Sequence, residues 1–225
     1  MYPPRCPICE DIIKDKPVCE KCKKSLNYVG SVRCLKCGKA ITDDEREYCG
    51  DCQKRKHLFE SGVAVFQYDD RIKGSMYRFK YKNRREYATF YAGEIVRLYR
   101  KLIEQYGVEA VVPVPMYEKK RRIRGYNQAE LLAKELSKLL KIPMIDNFLI
   151  RSKMTIPQKE LSDTQRINNV KNAFQIRDIG VKYNKILLVD DIYTTGITLD
   201  ECTKALKAFG VKEVYFAVVC IGKGS

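Results

Sequence analysis

Three groups of residues have types and spacings that could do chemistry. Eight of the ten cysteines stand in the first 52 residues as four CxxC pairs: Cys6/Cys9, Cys19/Cys22, Cys34/Cys37 and Cys49/Cys52. Residues 186–198 read ILLVDDIYTTGIT, where the adjacent carboxylates Asp190 and Asp191 precede a bend of hydroxyls around Gly196. Between these groups, residues 71–130 hold 15 Lys and Arg against 6 Asp and Glu, in a chain of formal charge +15.

A CxxC turn lets two thiolates reach one ion, and two such pairs complete a tetrahedral zinc site with no open position. Two structural Zn²⁺ are therefore expected. Disulfides are disfavoured without a secretory signal, and a redox CxxC normally stands alone. Arg5-Cys6-Pro7-Ile8-Cys9 and Arg33-Cys34-Leu35-Lys36-Cys37 are similar and lie 28 residues apart. The segment thus reads as a tandem duplication, each copy closing its own site: Cys6, Cys9, Cys19 and Cys22 around one ion, Cys34, Cys37, Cys49 and Cys52 around the other. A crossed pairing is the alternative. Four thiolates outweigh one Zn²⁺, so filled sites are anionic and poorly suited to grip nucleic acid. The only histidine, His57, follows the last pair and reads as a linker residue rather than a ligand. It leaves histidine acid/base catalysis almost nothing to work with.

The elements that must position the carboxylates follow from periodicity. Strands are expected over residues 62–68, 108–114, 185–189 and 214–221, with another beginning at 148–150. Helices are expected over 87–106, 129–140 and 199–209. Residues 151–172 are polar and aperiodic, as in a long functional loop. From residue 108 the order is β-α-β, loop, β-α-β, which implies an α/β fold with a parallel sheet and helices on both faces. Ligands of such sheets bind beyond the carboxyl ends of the strands. Asp190 and Asp191 stand there, suited to accept hydrogen bonds from a pair of ribose hydroxyls. Thr194, Thr195, Gly196 and Thr198, with the next helix N-terminus, offer a nest for an anion. Thr198-Leu199-Asp200-Glu201 reads as a capping box. Together they point to a ribose-5-phosphate ligand. The basic segment favours a polyanion, against the plainer reading of a solvated face. Its interleaved Tyr77, Phe79, Tyr81, Tyr87 and Tyr91 suit either single-stranded DNA or a core.

ILLVDDIYTTGIT resembles the phosphoribosyl pyrophosphate (PRPP) loop of type I phosphoribosyltransferases. Val112-Pro113-Val114-Pro115, Arg124-Gly125-Tyr126-Asn127-Gln128, and then Gln158, Leu161, Arg166, Asn169 and Phe174, together with the ribbons, resemble the ComF/ComFC family. The resemblance implies a type I phosphoribosyltransferase-like domain over 58–225, with a hood at 62–106, behind a double zinc ribbon over 1–57. It implies that Asp190 and Asp191 hold the ribose hydroxyls, and that Thr194, Thr195, Gly196, Ile197 and Thr198 hold the 5′-phosphate. Ile197 stands where the family more often has Ala or Ser and contributes its amide. Arg124 is the first choice for the pyrophosphate, with Arg121, Arg122 and the amides after Pro115 beside it. Gln158 and Arg166 belong to a flexible loop closing over PRPP, and Lys80 to the hood facing an acceptor. Mg²⁺ is expected with PRPP. The implied function is phosphoribosyl transfer to an acceptor, with release of pyrophosphate, in DNA uptake during natural transformation. The alternative is a non-catalytic module that binds PRPP or a nucleoside monophosphate and handles single-stranded DNA or docks transformation proteins such as the helicase. No apolar run approaches the roughly 20 residues of a membrane span. The first residues carry no secretory h-region, so a cytoplasmic location is expected.

Overall fold

The computed structural model describes residues 3–14, 16–43, 45–152 and 173–222. The main sheet comprises β1 (Gly62–Gln67), β2 (Ala110–Pro113), β5 (Lys185–Tyr193) and β6 (Glu213–Ile221), in the order β1-β6-β5-β2 with every pairing parallel. Because side chains alternate along a strand, the sheet feeds two apolar clusters. Val63, Val65, Val111, Leu187 and Val189 face one. Ala64, Val112, Ile186, Leu188 and Val218 face the other.

The first face is covered by α3 (Asp70–Tyr81), α4 (Tyr87–Tyr106) and α6 (Gln128–Leu140); the second is covered by α7 (Ile197–Phe209). α3 is not among the expected helices, because its exposed face is dense in Lys and Arg. Its buried stripe Ile72, Ser75, Met76 and Phe79 nevertheless has helical spacing. Asp69 caps it by accepting from the Arg71 and Ile72 amides at 3.2 and 3.1 Å. Burial of Phe79, Tyr87 and Tyr91 assigns those three rings to the core, whereas Tyr77 and Tyr81 stay exposed.

The strand at residues 148–150 differs from expectation. β3 (Leu149–Arg151) pairs antiparallel with β4 (Phe174–Ile176) in a separate two-stranded sheet, while an isolated parallel bridge from Met144 to Val111 lies beside β2.

The cysteine-rich segment straddles the β1 edge. The Val29 amide donates to Val65 O at 2.8 Å and the Gln67 amide to Asn27 O at 2.9 Å, which covers an otherwise open edge. Its first half, with α1 (Glu20–Ser25), packs on the α3 face, where Ser75 Oγ donates to Pro7 O at 2.5 Å. Its second half, with α2 (Gly50–Lys54), joins the α7 face. There Gly38 (φ +73°) lies so close that a Cβ would meet Gly62 O at 2.7 Å. Among the described residues no helix is long and apolar enough to cross a membrane.

Candidate functional site

A cavity of about 340 Å³ opens at the carboxyl ends of β2 and β5. Asp190, Asp191, Thr194, Gly196, Thr198 and Arg124 all line it, as do Lys80, Lys120 and Arg151. Thr195 and Ile197 do not. Ile197 is buried in the apolar cluster below, and Thr195 Oγ1 is buried with no hydrogen-bond partner among the described residues. Gln158 and Arg166 lie outside the described residues.

The carboxylates stand inside β5, not beyond it. β6 runs on to Ile221, so the ladder continues through Asp190↔Val218 and Tyr193↔Ile221. The expected end at Val189 reflected only where the apolar run stops. Successive residues point to opposite faces, which separates the two carboxylates in direction if not in distance. Burial, then the charge of Asp191, push the Asp190 carboxyl up to about 7. The Asp191 amide, donating to Asp190 Oδ1 at 2.8 Å, and the cations Lys80 and Arg151 oppose this. Asp191 pairs with Lys80 from α3 at 2.8 Å. Burial alone would lower the Lys80 ammonium; the Asp191 carboxylate overcomes it and raises it.

This predicts that carboxyl ¹³C NMR finds one aspartate titrating near 7, and that Asp190→Asn removes that signal. The folded value is above the unfolded one of about 3.9, so the folded chain binds the extra proton. Stability must therefore fall as pH rises from about 4 to about 7, and Asp190→Asn should flatten that slope.

The bend after β5 is specified by close packing. Gly196 has φ +77°, and a Cβ there would lie 2.6 Å from Tyr193 OH and 2.8 Å from His57 Cε1. Only glycine fits. It is also the N-cap of α7, so the expected capping box at Thr198 does not form. Asp200 is occupied elsewhere: its Oδ1 accepts from the Leu58 amide and its Oδ2 from His57 Nδ1, both at 2.8 Å. His57 is thus a buried structural residue rather than a linker residue. The α7 N-terminus, with Thr198 at its opening, faces the cavity and favours an anion.

The run 124–128 clamps α3 to the site. Gln128 Nε2 donates to Phe79 O at 3.3 Å, and Tyr126 OH donates to the same carbonyl. That anchors the residue just before Lys80. Arg124, at the end of α5 (Glu118–Arg124), donates to Gln128 Oε1 at 2.6 Å and lies 4.8 Å from the Tyr81 ring centroid. Arg121 and Arg122, by contrast, pair with Glu130 at 2.9 Å and Glu118 at 3.1 Å and do not line the cavity. The structure does not bring these two arginines to the cavity, because the glutamates hold them outside it. Lys120 and Arg151 line it instead. Burial, then mutual repulsion with Arg151, lowers Lys120, and burial lowers Arg151. The helical offset of Lys120 from Arg124 could have flagged the first. Nothing local flags Arg151, which arrives on β3.

The cysteines gather as sequential sets: Cys6, Cys9, Cys19, Cys22 and Cys34, Cys37, Cys49, Cys52, each with all Sγ atoms within 4.8 Å of one another. All ten cysteines are free thiols. Sγ separations such as Cys6–Cys19 at 3.8 Å and Cys37–Cys49 at 3.6 Å match the edge of about 3.8 Å of a tetrahedron with Zn–S of about 2.3 Å. Cys34, then its cysteine neighbours and burial, push the Cys37 thiol up, so four thiolates together need a cation. The donor set fits zinc, and the crossed pairing is excluded by distance.

Residues 1–53 match the double zinc ribbon domain, and residues 126–225 match the phosphoribosyl transferase domain. Competence protein F of Haemophilus influenzae is 32% identical over 214 residues, spanning 93% of this chain and 86% of that protein. DNA utilization protein YhgH of Escherichia coli is 26% identical, spanning 90% and 89%. Competence protein ComFC of Bacillus subtilis is 26% identical, spanning 85% and 78%.

Proposed function

Since the chain belongs to the competence protein F/ComFC family, with a double zinc ribbon and a phosphoribosyltransferase fold, we propose that its cavity binds PRPP with Mg²⁺ and transfers the phosphoribosyl group in the service of DNA uptake. We assign residues 1–57 to the ribbon and 58–225 to the transferase-like domain, both cytoplasmic. The observation that carries this reading is the convergence of two carboxylates, a glycine bend at a helix N-terminus and four cations, Lys80, Lys120, Arg124 and Arg151, on one cavity of about 340 Å³.

Each part of PRPP then has a chemically matched host. Asp190 and Asp191 accept from the ribose hydroxyls. The bend at Thr194, Gly196 and Thr198 donates amides and hydroxyls to the 5′-phosphate. Lys120, Arg124 and Arg151 face the diphosphate and take up the charge that develops as pyrophosphate leaves. At C1 the bond to pyrophosphate oxygen breaks, and a bond to the acceptor's nucleophilic atom forms with inversion. Asp190 and Asp191 would hold Mg²⁺, which would supply positive charge to the diphosphate and offset the burial and the Asp191 charge that raise the Asp190 carboxyl. Lys80 already neutralises Asp191 and so presets its direction.

A second reading, a module that handles single-stranded DNA, is favoured by one observation. Tyr77 and Tyr81 are exposed, 5.1 Å apart, beside Arg124, a stacking platform of the kind such modules use.

Calorimetry with PRPP at millimolar Mg²⁺ tests the first reading. Saturable heat is expected, as is pyrophosphate release when a panel of nucleobases is added. Heat without release under any acceptor would favour the second reading. No heat at all would remove the PRPP seat.

A further inference from the structure

The one histidine of the chain does not belong to the chemistry of the cavity, yet it lies directly beneath it. Its side chain is 1% exposed. It stands five residues after Cys52, in the stretch between α2 and β1 that has no regular structure. Its Nδ1 donates to Asp200 in the first turn of α7 at 2.8 Å. A carboxylate can only accept, so Nδ1 carries the proton, and Nε2 is left to Tyr193 OH at 3.3 Å. The ring stacks on Phe59 at 4.8 Å. Its Cε1 is one of the two atoms that leave Gly196 no room for a side chain. The neighbouring Leu58 amide holds the other Asp200 oxygen. The bend that faces the 5′-phosphate, and the helix start that carries its dipole, thus rest on residues delivered by the second cysteine cluster. Cys34, Cys37 and Cys49 share one apolar cluster with Tyr193, Ile197 and Leu199.

We propose that the second zinc site and the phosphate bend are one coupled unit, with His57 as the positioning residue that joins them. The proposal rests on the reading of the cavity as a PRPP site. The stretch 55–59 runs from the cluster to β1, and Asp200, Tyr193 and Phe59 fix where His57 points. Ordering the cluster orders the bend. By linkage, a ligand that orders the bend must then stabilise the cluster by the same factor. The first cluster supplies an internal control. It packs on the opposite face of the sheet, against α3, in the other apolar cluster.

The experiment uses the full chain with both zincs. Zinc release is driven by a thiol reagent and followed with an excess of a chromophoric chelator, with and without PRPP and Mg²⁺. Ligand should slow one of the two releases by about fivefold or more and leave the other unchanged. His57→Asn keeps a donor for Asp200 but removes the ring from beneath Gly196. It should retain two zincs, weaken PRPP about tenfold, and abolish most of the protection. Tyr193→Phe, which removes the other partner without opening a cavity, should do the same in smaller measure; it decides the matter if His57→Asn does not fold. If wild-type chain binds PRPP but releases both zincs at unchanged rates, the coupling is wrong and the PRPP seat stands. The coupling is also wrong if the variants bind and protect like wild type. If wild-type chain shows no heat with PRPP, the seat itself is wrong and this inference goes with it.

Discussion

Replacing Asp190 and Asp191 together with Asn should weaken PRPP–Mg²⁺ binding by at least about 100-fold and abolish pyrophosphate release. A hydrogen bond to a charged group contributes about 1.5–3 kcal/mol, so losing two corresponds to about 10²–10⁴ in affinity. Loss of the cation partner adds to this. The folding consequences of the two substitutions should differ in sign. Asp190 is held in a site that disfavours its charge, so Asp190→Asn alone should leave the protein as stable or more stable at pH 8. Asp191 compensates Lys80, whose side chain is only 20% exposed. Asp191→Asn alone leaves that ammonium beside an amide and should lower the melting temperature. Calorimetry and thermal melts of the three variants separate binding from folding. Wild-type affinity in the double variant would place any PRPP elsewhere on the molecule.

Removal of the second zinc should cost more than removal of any cavity residue. Apparent binding energies of structural zinc sites, about 10–16 kcal/mol, are comparable to the whole stability of a domain, about 5–15 kcal/mol. Cys34 and Cys37 are fully buried and share a cluster with Phe216 and Val218 of the sheet. Cys34→Ser/Cys37→Ser should therefore drop the zinc content from two to one and lower the melting temperature by more than about 10 °C, or leave the chain insoluble. Hydrogen exchange should show β1 and the start of α7 deprotected, not only the ribbon. The matching pair Cys6→Ser/Cys9→Ser should deprotect the opposite face, at α3, where Ser75 and Arg78 bond to the carbonyls of Pro7 and Ile8. A double variant at Cys34 and Cys37 that keeps two zincs and an unchanged melt would show that this cluster is not a metal site.

Much of the molecule could be read from the order of its residues, because those features concern a residue's near neighbours along the chain. A CxxC turn presents two thiols whatever follows it. An apolar run of β-branched residues makes a buried parallel strand, and Asp-Asp followed by hydroxyls and glycine makes a polar bend at its end. Three helices followed from their apolar period. α3 was hidden because Lys and Arg on its outer face dominate the composition, although Ile72, Ser75, Met76 and Phe79 keep the spacing. The strand through Asp190 and Asp191 is longer than its apolar run, because its length is set by the partner β6 and not by its own hydropathy.

The local order of residues determined the donor sets: which thiols gather as two four-cysteine clusters and which stretch brings two carboxylates and a glycine bend to the cavity. Tertiary structure alone decided what meets those sets. His57 and Asp200 are 143 positions apart, Lys80 reaches Asp191 from α3, and Arg121 and Arg122 turn to glutamates while Lys120 and Arg151 face the cavity. The physical reason is that periodicity reports a residue's own backbone state. Which charges share a buried volume depends instead on strand order, register and the packing of helices on two faces, and these exist only once the whole sheet has formed.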